Sequence, residues 1–178
     1  MEVFLYSPLD IAVIINSLNV GIQEQNRILN VVWSVDKSYL NYRYWYDKKK
    51  FFLDVYYWLN YITNKKNIDD EFSMIKSDVS SVNGSIDKED FVTDYKNLDL
   101  FFKKVRIMLI THPEKSYTAI KLRTLLKRYG YERRTQKLVG HFRTCLDVYH
   151  LQSYLRGGKV CDLGEVQLDK MIIFRLIY

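Results

Sequence analysis

Between Lys103 and Lys159 the chain carries fourteen Lys or Arg against three acids, Glu114, Glu132 and Asp147. Inside that block, the run Arg133-Arg134-Thr135-Gln136-Lys137 holds the side-chain types that meet a nucleic acid. Arg forks onto guanine, Gln onto adenine, and Thr and Lys hold phosphate oxygens. Lys121, Lys127, Arg143, Arg156 and Lys159 place more positive charge around it. Each neutralised phosphate releases condensed counterions, so charge concentrated in this way on a small folded unit is the electrostatic footprint of a polyanion binder. The formal net charge of the whole chain, +6, understates the excess, because residues 68–94 hold eight acids against Lys76 and Lys88.

Other chemistries fit the sequence less well. His141 and Cys145 stand four apart, with His150 and Cys161 later, so a zinc site of two His and two Cys can be drawn. The spacing matches no common zinc motif, and Cys145 falls on an apolar stripe, where a buried thiol is the ordinary reading. A Cys–His nucleophilic pair needs an acid to orient it, and the sequence offers none at convincing spacing. The carboxylate clusters Asp69-Asp70-Glu71 and Asp87-Glu89-Asp90 would suit a metal-dependent nuclease. Their linker and helix-start contexts explain them without chemistry. There is no Gly-rich phosphate loop, and Gly157-Gly158 fits a hairpin turn better. The expectation is a protein that is not an enzyme, with no cofactor and no metal.

The chain has 178 residues, 48% hydrophobic and 15% aromatic, enough to build a core in one ordinary domain or two small ones. The most apolar stretch near the N-terminus is interrupted by Ser7, Pro8 and Asp10, and no run approaches the roughly 20 residues of a membrane span. A basic start and a small-residue cleavage site are missing. These features predict a soluble, cytoplasmic protein with no membrane partner and with Cys145 and Cys161 as reduced thiols. Richness in Asn, Ile, Lys and Tyr suits an AT-rich prokaryotic or viral genome, or a mobile element.

The elements that must position the basic residues follow from spacing. Ser7-Pro8-Leu9-Asp10 is a helix start, and Ile11, Ile14, Ile15 and Leu18 repeat at helical intervals. After a break at Asn19–Gly21, a second helix carries Ile22, Leu29, Val32 and Trp33. Residues 37–46 have no clean period and are left as loop or short strand. A third helix begins at Asp47 with Phe51, Phe52, Val55, Tyr56, Leu59 and Ile62 at intervals of three or four. Residues 67–89 form an acidic connector with turn chemistry, in which a short docked helix at 69–76 remains open. Asp87, Glu89 and Asp90 open a long helix with Phe91, Tyr95, Leu98, Phe102, Val105 and Leu109 on one face, ending at His112-Pro113. Its late charges, Lys103, Lys104 and Arg106, suit the negative end of the dipole.

Beyond Pro113 a short strand or cap at 116–118 precedes a helix at 119–129, which Gly130 ends. A basic helix then runs from about Arg133 to Val148, with Leu138, Val139, Phe142, Cys145 and Leu146 inward. Extended pieces follow at 151–156, 160–163 and 170–178, with Gly157-Gly158-Lys159 as a turn. Over about 90–178 this order resembles the winged-helix superfamily of DNA-binding domains. The residues carrying the resemblance are the Leu125-Leu126 helix, Gly130, the basic helix, Gly157-Gly158 and the closing strand Leu168 to Phe174.

The resemblance implies that the basic helix enters the major groove and presents its N-terminal residues to base edges, while the hairpin touches backbone. Arg133, Arg134, Thr135, Gln136 and Lys137 would then lie in the groove. Lys121, Lys127, Arg143, Arg156 and Lys159 would lie at phosphates or in the wing. The expected fold is mainly α, with an aromatic-rich helical region at 1–66 and a C-terminal winged helix with a small β-hairpin at 90–178. The expected function is non-enzymatic binding of double-stranded DNA, as a transcriptional regulator or a mobile-element or defence-system component. The alternative is an adaptor whose winged helix docks a protein. Tyr42, Tyr44, Tyr46 and Tyr57 do not fit one buried face, which predicts a homodimer or protein-partner interface in the N-terminal region.

Overall fold

The computed structural model describes residues 4–63 and 89–177, with the side chains of 89–97 excepted. The connector expected at 67–89 lies almost wholly outside the described residues. The protein is mainly α, with a small three-stranded antiparallel sheet among the described residues. It divides into two compact units, residues 1–96 and 97–178. No helix among the described residues is long and apolar enough to cross a membrane.

The first unit contains α1 (Pro8–Leu18), α2 (Ile22–Val35), two single-turn 3-10 segments (Lys37–Tyr39 and Tyr42–Tyr44) and α3 (Lys48–Thr63). Ser7 starts α1 with a capping box: its hydroxyl accepts from the Asp10 N–H at 3.0 Å, and its own N–H donates to Asp10 Oδ2 at 3.0 Å. Seven of the eleven residues of α1 are buried, from Pro8 to Ile15, and α3 lies along it with Phe51, Val55, Leu59 and Ile62 buried. The aromatic segment left open by its lack of period is tied down by the polar ends of its rings. Tyr6 Oη donates to Asp36 at 3.0 Å, Trp33 Nε1 to the Tyr44 carbonyl at 3.0 Å, and Trp45 Nε1 to the Leu40 carbonyl at 3.0 Å. Tyr44 is buried and donates to Asp54 at 2.8 Å; burial first, and that bond second, push its hydroxyl up to about 12.

The second unit begins within α4 (Glu89–Thr111) and continues through β1 (Thr118–Lys121), α5 (Leu122–Arg128), α6 (Gln136–Val148), β2 (Leu151–Leu155) and β3 (Met171–Leu176). The last strand enters the middle of the sheet, in the order β1-β3-β2. Phe174 pairs with Thr118 on one side and Ser153 on the other, and Ile172 with Ile120 and Leu155. Phe174 and Ile172 are both fully buried, as alternation along a strand with one covered face requires. Phe101 and Phe102 of α4 meet Phe174 edge-on at 5.8 and 5.7 Å, and Phe102 meets Phe142 of α6 at 6.1 Å.

The structure differs from the sequence expectation in several places, among them the extended piece expected at 160–163, of which only a bridge from Val160 to Tyr154 forms. Residues 118–121 are strand and α5 starts only at Leu122, because β3 supplies a pairing partner that local spacing does not reveal. Lys103, Lys104 and Arg106 are not solvated helix-end charges. Lys103 is buried, burial lowers the Lys104 amine and the nearby Arg128 lowers it further, and Arg106 Nη1 donates to the Tyr149 carbonyl at 2.8 Å.

Phe174 joins sheet and helices, so Phe174→Ala should lower the unfolding free energy of the C-terminal unit by about 3–5 kcal/mol, measured by urea denaturation. Met171→Ala, on the exposed side of the same strand, should cost far less.

Candidate nucleic-acid interface

The basic block is organised by two helix ends. Gly130, with φ +80°, ends α5 in a Schellman turn: its N–H meets the Lys127 carbonyl at 3.2 Å and the Tyr131 N–H meets that of Leu126 at 2.9 Å. Thr135 then caps α6, its hydroxyl accepting from the Leu138 N–H at 3.2 Å. The cap sets the start of the helix, so Glu132, Arg133 and Arg134 lie in the turn before α6 and not in its first turn. Thr135 is accordingly engaged as a cap.

The turn and the helix sort the candidates into two groups. Arg133, Gln136 and Lys137 are exposed, followed on the same side of α6 by Gly140 and Thr144, also exposed. Lys121, Lys127, Arg156 and Lys159 are exposed as well. Arg134 is turned inward: its Nη1 donates to the Leu163 carbonyl at 2.8 Å and also to that of Val166. Arg143 donates from Nε and Nη2 to Asp162 Oδ2 at 3.0 and 2.6 Å. Arg123, outside the expected set, grips Asp169 with two bonds at 2.7 and 3.0 Å.

These three arginines hold the connection between β2 and β3. That connection starts as a tight hairpin: Gly157 and Gly158 have φ of +100° and +85°, and the Leu155 N–H meets the Lys159 carbonyl at 2.8 Å. Ser153 and Cys161 then bond across the strand edge, the hydroxyl donating at 2.6 Å. The chain next lies on α6 as a strap, with Leu163 and Val166 buried. At Gly164 the approach is close: a Cβ there would sit 2.8 Å from Val139 Cγ1 and 2.9 Å from Asp162 Oδ1. Burial pushes the Asp162 carboxyl up, but the Gly164 N–H at 2.6 Å and the Arg143 guanidinium prevail and hold it below the usual range. Asp169 is lowered by the hydrogen bond from Arg123.

On the inner side of α6 the buried residues are Leu138, His141, Phe142, Cys145 and Leu146. The acid that the Cys–His pair lacks in sequence is supplied by α4. Asp99 Oδ1 lies 2.6 Å from His141 Nε2 and accepts from the Cys145 thiol at 3.1 Å. An acid set inside the apolar run Leu98 to Phe102 was the one signal for it. Burial, then Asp99, push the Cys145 thiol well up, which disfavours the reactive thiolate. His150 and Cys161 are not part of this cluster.

Searches against protein-family models, curated proteins and solved structures give no match for the chain.

Arg134→Met should leave two strap carbonyls short of a donor and cost about 1–3 kcal/mol in chemical denaturation, whereas Arg133→Ala should stay within about 0.5 kcal/mol of the parent. The strap also has a pH signature. The folded pKa of Asp162 lies below the unfolded value of about 3.9, so its contact with Arg143 is complete above that value and is lost as pH falls through the folded one. The Gly164 amide resonance should therefore hold steady at neutral pH and move only below about pH 4 in an NMR titration.

Proposed function

We propose that the C-terminal unit is a winged helix that binds double-stranded DNA without enzymatic activity, in a regulator or in a mobile-element or defence-system component. The order helix, strand, helix, helix, strand, strand supports the fold, as does the placing of the last strand between the other two. The observation that carries the function is the exposed start of α6 together with the turn before it. Arg133, Gln136 and Lys137 face solvent there, while Arg134 and Arg143 secure the strap and leave the groove-facing work to the others.

Gly140 supports the same surface. It lies in the middle of α6, exposed, where an added Cβ would meet nothing within 4 Å. Glycine in such a place costs a helix about 0.5–1 kcal/mol relative to alanine. A duplex wall passing close to the helix gives that cost a reason. Lys121 at the end of β1 and Lys127 on α5, with Arg156 and Lys159 from the hairpin, supply phosphate contacts on this reading.

Full-length protein titrated with duplex DNA over a salt series should show a slope of log affinity on log salt near about −4 to −5, for roughly five phosphate contacts. Arg133→Ala together with Lys137→Ala should weaken binding at least about tenfold, or roughly 1.4 kcal/mol, with no change in melting temperature. Gly140→Ala should separate the two roles, raising stability by up to about 1 kcal/mol while reducing DNA affinity. Absence of duplex binding at low salt would refute the reading.

A second surface favours a protein contact in the N-terminal unit. Leu53 and Tyr57 stand one turn apart on α3 and are 58% and 63% exposed, and the contacting rings of Tyr42 and Tyr46 are 67% and 81% exposed. Large apolar side chains held in water in this way suit a homodimer or partner interface.

A further inference from the structure

The buried cluster between α4 and α6 is unlike anything else in the described core. Asp99, Lys103, His141 and Cys145 are each at most 4% exposed, at positions where apolar residues would pack without a desolvation cost. His141 and Cys145 share a helix face because they are four apart, and Asp99 reaches them from α4. The three donor atoms form a closed triangle: Oδ1 to Nε2 is 2.6 Å, Oδ1 to Sγ is 3.1 Å, and Sγ to Nε2 is 3.4 Å.

We propose that Asp99, His141 and Cys145 form a binding site for a zinc-like divalent cation, which ties α6 to α4. Nitrogen, sulfur and oxygen donors together are what a borderline-soft cation such as zinc selects. With bonds of about 2.0–2.3 Å, tetrahedral zinc sets neighbouring donors roughly 3.3–3.7 Å apart, so two edges of the triangle are already close and the shortest must open by less than about 1 Å. Both Nε2 and Sγ converge on the same oxygen, Asp99 Oδ1. A cation seated over the face of the triangle meets all three lone pairs, where a proton can serve only two at a time.

Loading exchanges a proton for the metal. The Cys145 thiol, held protonated by burial and by Asp99, gives its proton to solvent and binds as thiolate, while His141 binds as neutral imidazole and Asp99 as carboxylate. Carboxylate and thiolate then balance the two charges of the cation. Lys103, buried beside these groups, adds positive charge that opposes the cation and limits affinity. The set differs from the two-His, two-Cys site that the sequence allows, because Asp99 replaces His150 and Cys161. It does not depend on the DNA reading.

The test uses full-length protein, reduced, freed of metal and loaded with Zn²⁺ or Co²⁺ alone. After gel filtration, one metal ion per chain should remain, and the cobalt form should show a thiolate-to-metal charge-transfer band. Cys145→Ser, which keeps the shape of the side chain, should abolish the band and weaken zinc binding at least tenfold. Asp99→Asn should weaken it similarly. No retained metal, retained cobalt without the thiolate band in the unaltered protein, or equal retention by both variants would each overturn the proposal and leave a hydrogen-bonded core in its place.

Discussion

The C-terminal unit depends on how the chain between β2 and β3 is held down. That connection leaves the sheet edge, turns at two glycines and must return so that β3 can enter between β1 and β2. It has little regular structure of its own to satisfy its backbone groups. Arg134 satisfies two of its carbonyls, Arg143 and Arg123 anchor Asp162 and Asp169, and Leu163 and Val166 go under. Of these, the buried part carries the energy. The Arg123–Asp169 pair is fully exposed to screening and fixes position more than stability.

That division explains why a charge count misleads. Fourteen bases against three acids describe a polyanion binder, yet three arginines of the block are spent on the fold, Arg106 on the end of α6, and Lys103 on a buried cluster. The bases left exposed are fewer and are grouped. They lie before and at the end of β1, on α5, in the turn before α6, on its first turn and at the hairpin tip. A nucleic-acid reading based on position is therefore stronger than one based on net charge, and it names a smaller set of residues.

Much of the architecture was legible because local signals agreed with one another. Ser7-Pro8 with Asp10 started α1 where it begins, Gly130 ended α5 one residue after its cap, and Gly157-Gly158 made the hairpin. Non-local partners were what the sequence hid. Thr118–Lys121 is strand only because β3 lies beside it, and Arg133 and Arg134 fall outside α6 only because Thr135 takes the cap. Adjacent arginines with the same local context face opposite ways, since Leu163 and Val166, some thirty residues on, offer carbonyls to one of them. Asp99 was hidden for a similar reason: its meaning lies in His141 and Cys145, more than forty positions away.

DNA contact is proposed at a particular place on the molecule, and a measurement that locates contact tests it. Backbone amide shifts of the full-length protein should be followed while duplex DNA is added at low salt. The largest changes are expected at residues 131–140 and 156–159, with the strap at 162–166 and the aromatic residues 37–61 little moved. Changes centred on residues 37–61, or no changes at all, would contradict it.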